Sequence, residues 1–135
     1  EKITVPFFVS NCDVIIHTNY AAIMDFHSQS GHGITLVASM RHYKVPYGVC
    51  EVSASGILSN IREKPEYDFL VNTGLYIIDP KLLNLIPSDT YFDMPDLIEE
   101  AQRRGLEVGV FPVSEKSWKD IGQWPEYKES LSNLF

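Results

Sequence analysis

Two cysteines, Cys12 and Cys50, are too few for a disulfide framework in 135 residues, and no C-x-x-C pair occurs. That excludes the stapled secreted scaffolds and points to a reducing compartment, the cytoplasm. Cations are scarce too. Eleven Lys and Arg face eighteen Asp and Glu, a formal net charge of -7. The clustered basic residues that grip a nucleic-acid backbone are missing, so no nucleic-acid partner is expected. No apolar run reaches the ~20 residues that span a bilayer, and the N-terminus lacks the basic-then-apolar pattern of a signal peptide, so no membrane partner is expected. Repeats, low-complexity tracts and long like-charge blocks are also absent, which leaves no linker to divide the chain. A chain of this length with 44% hydrophobic residues holds one domain, residues 1–135, with a sizeable core.

What is present reads as alternating strands and helices. Val5-Pro6-Phe7-Phe8-Val9-Ser10 is a continuous apolar run, the pattern of a strand covered on both faces, and Asn11-Cys12-Asp13 closes it with polar groups. Thr18 or Asn19 can cap the helix that follows, whose apolar stripe is Ala22, Ile23 and Phe26. Ser30-Gly31-His32-Gly33 stops it before a second strand, Ile34 to Met40. Such strand-helix-strand units run parallel and carry functional groups at the C-terminal ends of their strands.

Gly48 to Val52 and Ile57 to Ile61 flank the turn Ser53-Ala54-Ser55-Gly56 as a hairpin, which runs into a charged corner at Arg62-Glu63-Lys64-Pro65. Val71 to Ile78 is a strand with Gly74 inside it, the mark of a bulge or of a close approach to the backbone. Asp79-Pro80 opens a short helix with Leu82, Leu83, Leu85 and Ile86. Asp93 and Pro95 open another, with Leu97, Ile98 and Ala101, that Gly105 stops. A strand from Glu107 to Val113, a short one from Ser117 to Ile121 and a helix over 124–133 complete an α/β order with a mixed sheet.

Within that order two carboxylates stand out. Asp120 lies between the bulky Trp118 and a turn at Gly122, and Asp13 sits where the first strand ends. Acids at strand ends are where α/β proteins hold a metal or a sugar hydroxyl. The plainer readings are a helix cap or strand-end turn for Asp13 and a turn former for Asp120. A zinc site from Cys12, Cys50 and two of His17, His27, His32 and His42 lacks the close paired spacing of structural zinc motifs. A Cys12 nucleophile needs a base that the sequence does not locate, and a small buried cysteine is the usual case.

Four stretches together resemble the sugar-phosphate nucleotidyltransferases, which join a nucleoside triphosphate to a sugar 1-phosphate. They are Val9-Ser10-Asn11-Cys12-Asp13, Arg62-Glu63-Lys64-Pro65, Val71-Asn72-Thr73-Gly74-Leu75-Tyr76 and Trp118-Lys119-Asp120-Ile121-Gly122-Gln123-Trp124, in that order. The resemblance implies a nucleotide-diphospho-sugar transferase fold, Rossmann-like, with a mostly parallel mixed sheet flanked by helices. It implies Asp13 and Asp120 as ligands of Mg2+, and Lys64 as the cation that meets the sugar phosphate. Glu63 is then an acceptor of sugar hydroxyls, the alternative being a solvated Glu-Lys pair of little energetic worth. Asn72, Thr73 and Gly74 line the sugar pocket, with Gly74 leaving room for the hexose, and Tyr47-Gly48 forms a sugar-contacting turn. Trp118 stacks on the sugar, although large aromatics more often belong to the core.

The family's glycine-rich G-x-G-x-R loop, which grips the triphosphate, has no counterpart here. The chain therefore reads as the acceptor and metal-binding portion of a catalytic domain truncated at its N-terminus. Alone it is expected to be inactive, and to self-associate as a homo-oligomer through an exposed sheet edge or to be marginally stable. Two other classes remain in view. One is a non-catalytic sugar-phosphate sensor, and the other an interaction domain using the helix from Trp124 onward; response to a hexose phosphate separates the first two readings from the last. The nucleotide and the sugar stay open, with guanylyl transfer favoured by the likeness of two of the stretches to mannose-1-phosphate guanylyltransferase-like members.

Overall fold

The computed structural model describes residues 3–122. Its elements are β1 (Phe7–Ser10), β2 (Val14–Ile16), α1 (Tyr20–Ser30), β3 (Ile34–Lys44), β4 (Val49–Val52), β5 (Leu58–Arg62), β6 (Glu66–Ile78), α2 (Met94–Arg103), β7 (Val108–Val113) and β8 (Trp118–Asp120). Short 3-10 turns lie at Pro80–Leu85 and Glu115–Ser117. A four-stranded sheet runs β1-β6-β3-β7, and two antiparallel ribbons, β2-β8 and β4-β5, stand apart from it. The helix expected over 124–133 lies outside the described residues.

The sheet is mixed, as expected, but its balance is not mostly parallel. β6 is antiparallel to both β1 and β3, and among the described residues only β3 and β7 pair in parallel. The reason is in the connection. From β3 the chain goes out along β4, turns, and comes back along β5, so β6 re-enters opposite to β3; Val45 N–H donating to Pro65 O at 3.0 Å closes the base of that excursion. β1 and β3 do share a direction, as a strand-helix-strand unit requires, with β6 laid between them.

Both faces of the sheet are covered, which is why Leu75-Tyr76-Ile77-Ile78 is apolar without alternation. Leu75 and Ile77 point to a cluster with Ile16, Ile23, Val37 and Val113. Tyr76 and Ile78 point the other way, to Ile34, Leu82, Leu97 and Ala101. Asn19 caps α1 by accepting the Ala22 N–H, and Gly31 ends it at φ +70. A reciprocal Asp93–Asp96 capping box starts α2.

α1 buries His27 as well as Ile23, beyond the apolar stripe read from sequence. His27 Nδ1 lies 2.8 Å from Thr35 Oγ1, and burial lowers the imidazole pKa from its ordinary 6.5. β3 and β6 also run further than their apolar runs suggested. Their outer halves pair Lys44 with Glu66 and His42 with Asp68 across the strands, and Tyr43, Phe69 and Tyr67 line up beside one another.

Candidate functional site

The two singled-out acids meet. β2 pairs with β8 so that Val14 lies opposite Asp120, which brings Asp13 to the end of the same ribbon. Asp13 O accepts the Ile121 N–H at 2.8 Å, and Asp120 Oδ1 accepts the Gly122 N–H at 2.9 Å. Both carboxylates close on the space where a Gly122 side chain would begin. A Cβ there would lie 2.7 Å from Asp13 Oδ2 and 3.2 Å from Asp120 Oδ1.

Beside them is an open cleft of about 230 Å³ lined by Asn11, Asp13, Asn72, Gly74, Trp118 and Asp120, among others. Its floor is an irregularity in β6. Leu36 faces Tyr76 and Ala38 faces Asn72, so Thr73-Gly74-Leu75 stand opposite the single residue Val37. Thr73 lines the cleft, but its hydroxyl donates to Val37 O at 2.8 Å and so anchors the bulge. Gly74 turns the chain at φ +80, where a side chain is disfavoured. The room that this glycine leaves is taken by Asn11, whose Nδ2 would lie 2.7 Å from a Cβ, rather than left open to a ligand. Asn72 is held at both ends: its Oδ1 accepts the Gly74 N–H at 2.9 Å, and its Nδ2 donates to the Tyr76 hydroxyl at 2.7 Å. Trp118 serves core and cleft together, packing against the Ile16 and Ile23 cluster while the Arg41 guanidinium lies 4.6 Å from its ring centroid.

Tyr47, Gly48, Glu63 and Lys64 form a second group on the β4-β5 ribbon. A Cβ on Gly48 would meet Glu63 Oε2 at 3.1 Å, so Tyr47-Gly48 and Glu63 are neighbours. Lys64 takes a left-handed φ of +45, and its Nζ is 3.9 Å from Glu63 Oε1. All four are exposed. None lines the strand-end cleft, and Glu66 and Asn72 are separated by roughly 20 Å of extended β6. The ribbon is held by itself: Arg62 Nε donates to Glu51 Oε1 at 3.0 Å, and hydrogen bonds from Arg62 lower the Glu51 pKa.

Among the described residues no cluster of three or more His, Cys, Asp or Glu side chains could hold a metal, which leaves the zinc reading without a site and Asp13–Asp120 as a two-carboxylate set. Cys12 is exposed rather than buried, as is Cys50, and both are free thiols. No helix among the described residues is long and apolar enough to cross a membrane. Asn11, Val14 and Tyr76 are the cleft-lining residues that sequence reasoning did not single out. Asn11 and Tyr76 lie within the quoted stretches and Val14 directly follows the first, but their part depends on a bulge and a ribbon pairing that one-dimensional spacing does not reveal.

The Nucleotidyl transferase family model matches residues 1–134, and the chain belongs to that family. Mannose-1-phosphate guanyltransferase of Saccharomyces cerevisiae is 32% identical over 132 residues, a match that covers 91% of this chain and 35% of the yeast protein. Mannose-1-phosphate guanylyltransferase catalytic subunit beta of Danio rerio is 33% identical over 125 residues, covering 87% and 33%. The chain thus spans about a third of the length of the relatives it matches. Among solved structures, HddC from Yersinia pseudotuberculosis superposes with a TM-score of 0.66 at 19% identity over 96% of this chain and 56% of that one. A putative glucose-1-phosphate thymidylyltransferase from Bacillus anthracis, in complex with a sucrose, gives 0.64 at 17% identity over 96% and 54%. These likenesses carry the fold, a Rossmann-like α/β arrangement.

Proposed function

We propose that this chain is the sugar 1-phosphate- and metal-binding portion of a sugar-phosphate nucleotidyltransferase. In the reaction an oxygen of the sugar phosphate bonds to the α-phosphorus of a nucleoside triphosphate, the bond from that phosphorus to the bridging oxygen breaks, and pyrophosphate leaves. The observation that carries the reading is the convergence of Asp13 and Asp120, from opposite ends of the chain, on Gly122 beside Asn72 and Gly74.

The donor set fits Mg2+, which is commonly held by one or two carboxylates with phosphate oxygens and water completing its shell. Bound there, the ion offsets the charge gathered on the phosphates. The chain's own residues supply position. Asp13 and Asp120 are fixed by the β2-β8 ribbon, and Asn72 is turned by Tyr76 and Gly74 to offer its remaining donor to the sugar. The resemblance gives Lys64 the sugar phosphate and Glu63 sugar hydroxyls, with Tyr47-Gly48 beside them and Trp118 as a wall, and the exposed ribbon has to close toward the cleft for both groups to meet one sugar. The names of the relatives favour mannose 1-phosphate as acceptor and a guanine nucleotide as donor. A cytoplasmic setting goes with this reading and suits two exposed free thiols.

The test is pyrophosphate release by the intact natural protein from GTP, and from the other nucleoside triphosphates, with mannose, glucose and glucosamine 1-phosphates, with and without Mg2+. The same sugars are titrated in thermal melts, since a ligand of the native state raises Tm. Mg2+-dependent release with one of the sugars is the expected result. A sugar-dependent rise in Tm without release would mark a sensor instead, and no response to any sugar would overturn both.

A further inference from the structure

Arg41 stands apart from its neighbours on β3. Met40, His42, Tyr43 and Lys44 are exposed, whereas the Arg41 side chain keeps only 24% of its surface. Two contacts cover it. The guanidinium lies over the Trp118 ring, 4.6 Å from the centroid, and its Nη1 donates to Glu115 Oε1 at 3.0 Å. The sheet sets the place: β3 and β7 stop pairing after Ser39 and Val113, and Arg41 spans from β3 to the turn at Glu115–Ser117 that leads into β8.

The ring it covers has no polar anchor. Among the described residues the Trp118 indole N–H is buried without a hydrogen-bond partner, so packing against the Ile16 and Ile23 cluster and the guanidinium hold the ring. The strand beneath is slight as well, since β8 is three residues long and pairs only with the three of β2. Trp118 and Asp120 alternate along β8 to the same side, and both line the cleft. An ion pair as exposed as Arg41–Glu115 is worth little for stability by itself. A planar guanidinium, however, can lie flat on an indole and bond a carboxylate through its edge at the same time, which an ammonium cannot do. Arg41 does not line the cleft, and Glu115 engages its charge, so its route to the site is through Trp118.

We infer that Arg41 is a positioning residue: tied by Glu115, its guanidinium holds the Trp118 indole as the wall against which the sugar 1-phosphate packs beside Asp120. That role rests on the nucleotidyltransferase reading above. It gives the Arg41–Glu115 pair a task in sugar affinity, not in stability and not in attracting phosphate.

The experiment is steady-state nucleotidyl transfer by the intact natural protein with the sugar 1-phosphates named above, for Arg41→Ala and Arg41→Lys, alone and joined to Trp118→Leu. Arg41→Ala should raise KM for the sugar roughly tenfold, with kcat and the nucleotide KM unchanged, the size of a lost cation–π contact that orders the wall. Arg41→Lys should lose as much, whereas a role in attracting the anionic substrate would survive in lysine. Added to Trp118→Leu, which has no ring to hold, Arg41→Ala should change the sugar KM by less than about twofold, while the losses of an unrelated structural defect would multiply. If Trp118→Leu does not fold, Trp118→Phe takes its place, and the effect of Arg41→Ala should shrink to about threefold on the smaller ring. Rescue by lysine, a loss that persists in full without the indole, or an unchanged sugar KM overturns the role of Arg41 and leaves the enzyme reading standing. Wild type that transfers nucleotide to none of these sugars overturns the enzyme reading, and the role of Arg41 with it.

Discussion

The strand-end cleft and the β4-β5 ribbon each carry residues of the family's motifs, and they are built in opposite ways. In the cleft, three of the groups that line it are tied to backbone or to a neighbouring side chain. Thr73 is bonded to β3, Asn72 to Tyr76 and Gly74, and Asp120 to its own turn. On the ribbon, every residue of β5 is exposed, and the strands hold chiefly to each other through their ladder and the Glu51–Arg62 pair. A group that must be placed to fractions of an ångström belongs on the first kind of support, and one that must reach toward a bound ligand can sit on the second. Under the proposed function, the split gives geometry to the cleft and reach to the ribbon.

The largest effect expected from breaking this division lies in the cleft. Asp13→Asn or Asp120→Asn in the intact natural protein should lower kcat by at least about a hundredfold, as loss of a group that stabilises transition-state charge does. The circular dichroism spectrum should not change. Next is Lys64→Ala, which should raise KM for the sugar 1-phosphate by about 10- to 100-fold through one charge-assisted contact, with no resolvable change in Tm. Lys64→Gly should lose the same affinity while relieving the left-handed backbone. If both variants bind sugar normally, the ribbon has no part in the site.

Two glycines sharpen the contrast at the level of stability. Gly74→Ala places a Cβ in a left-handed backbone against an Asn11 side chain pinned to β6, and should cost about 2–3 kcal/mol in denaturant unfolding. Gly48→Ala is crowded by the far end of an exposed Glu63 side chain, which can swing away, and meets Ile61 at ordinary contact distance, so it should be within about 0.5 kcal/mol of wild type.

The smallest expected effect is on the pH dependence of stability. Burial, opposed by Asp79 and reinforced by His32, lowers the His27 pKa below 6.5 in the folded state. The unfolded chain therefore takes up the proton first. The stability contributed by neutral His27 is complete above pH 6.5 and is lost as pH falls below that value toward the depressed one. His42 has the opposite sign, raised chiefly by its hydrogen bond to Asp68, but it is exposed and solvent weakens its contribution. Melts between pH 7 and pH 5 should show the loss, and His27→Gln should flatten it.

How much of this was legible in the sequence follows the same division. Asn19, Asp79 and Asp93 as caps, Gly31 as a stop and the bulge at Gly74 are local events, written in residues close together in sequence. The cleft's acids were legible as residues, because strand ends are recognisable, and as a pair on one Mg2+ through the resemblance, whereas the ribbon that brings them together was not. β2 is three residues long, and its pairing with β8 is the kind of non-local contact that periodicity does not carry. The parallel expectation for the sheet failed for a related reason. The apolar runs of β3 and β6 identify strands, but their direction is set by the excursion through β4 and β5. The resemblance makes Gly74 room for a sugar, and only the path of Asn11 shows which side chain lies against it.

Whether Asp13 and Asp120 act as one site is decided by a double-mutant cycle. In the intact natural protein, kcat/KM is measured for Asp13→Asn, Asp120→Asn and the double variant. If the carboxylates serve one site, the double variant should be no more than about threefold worse than the more damaged single one, as for residues that act as a unit. If the two losses multiply instead, the acids act independently, and the convergence at Gly122 is not the working centre of this protein.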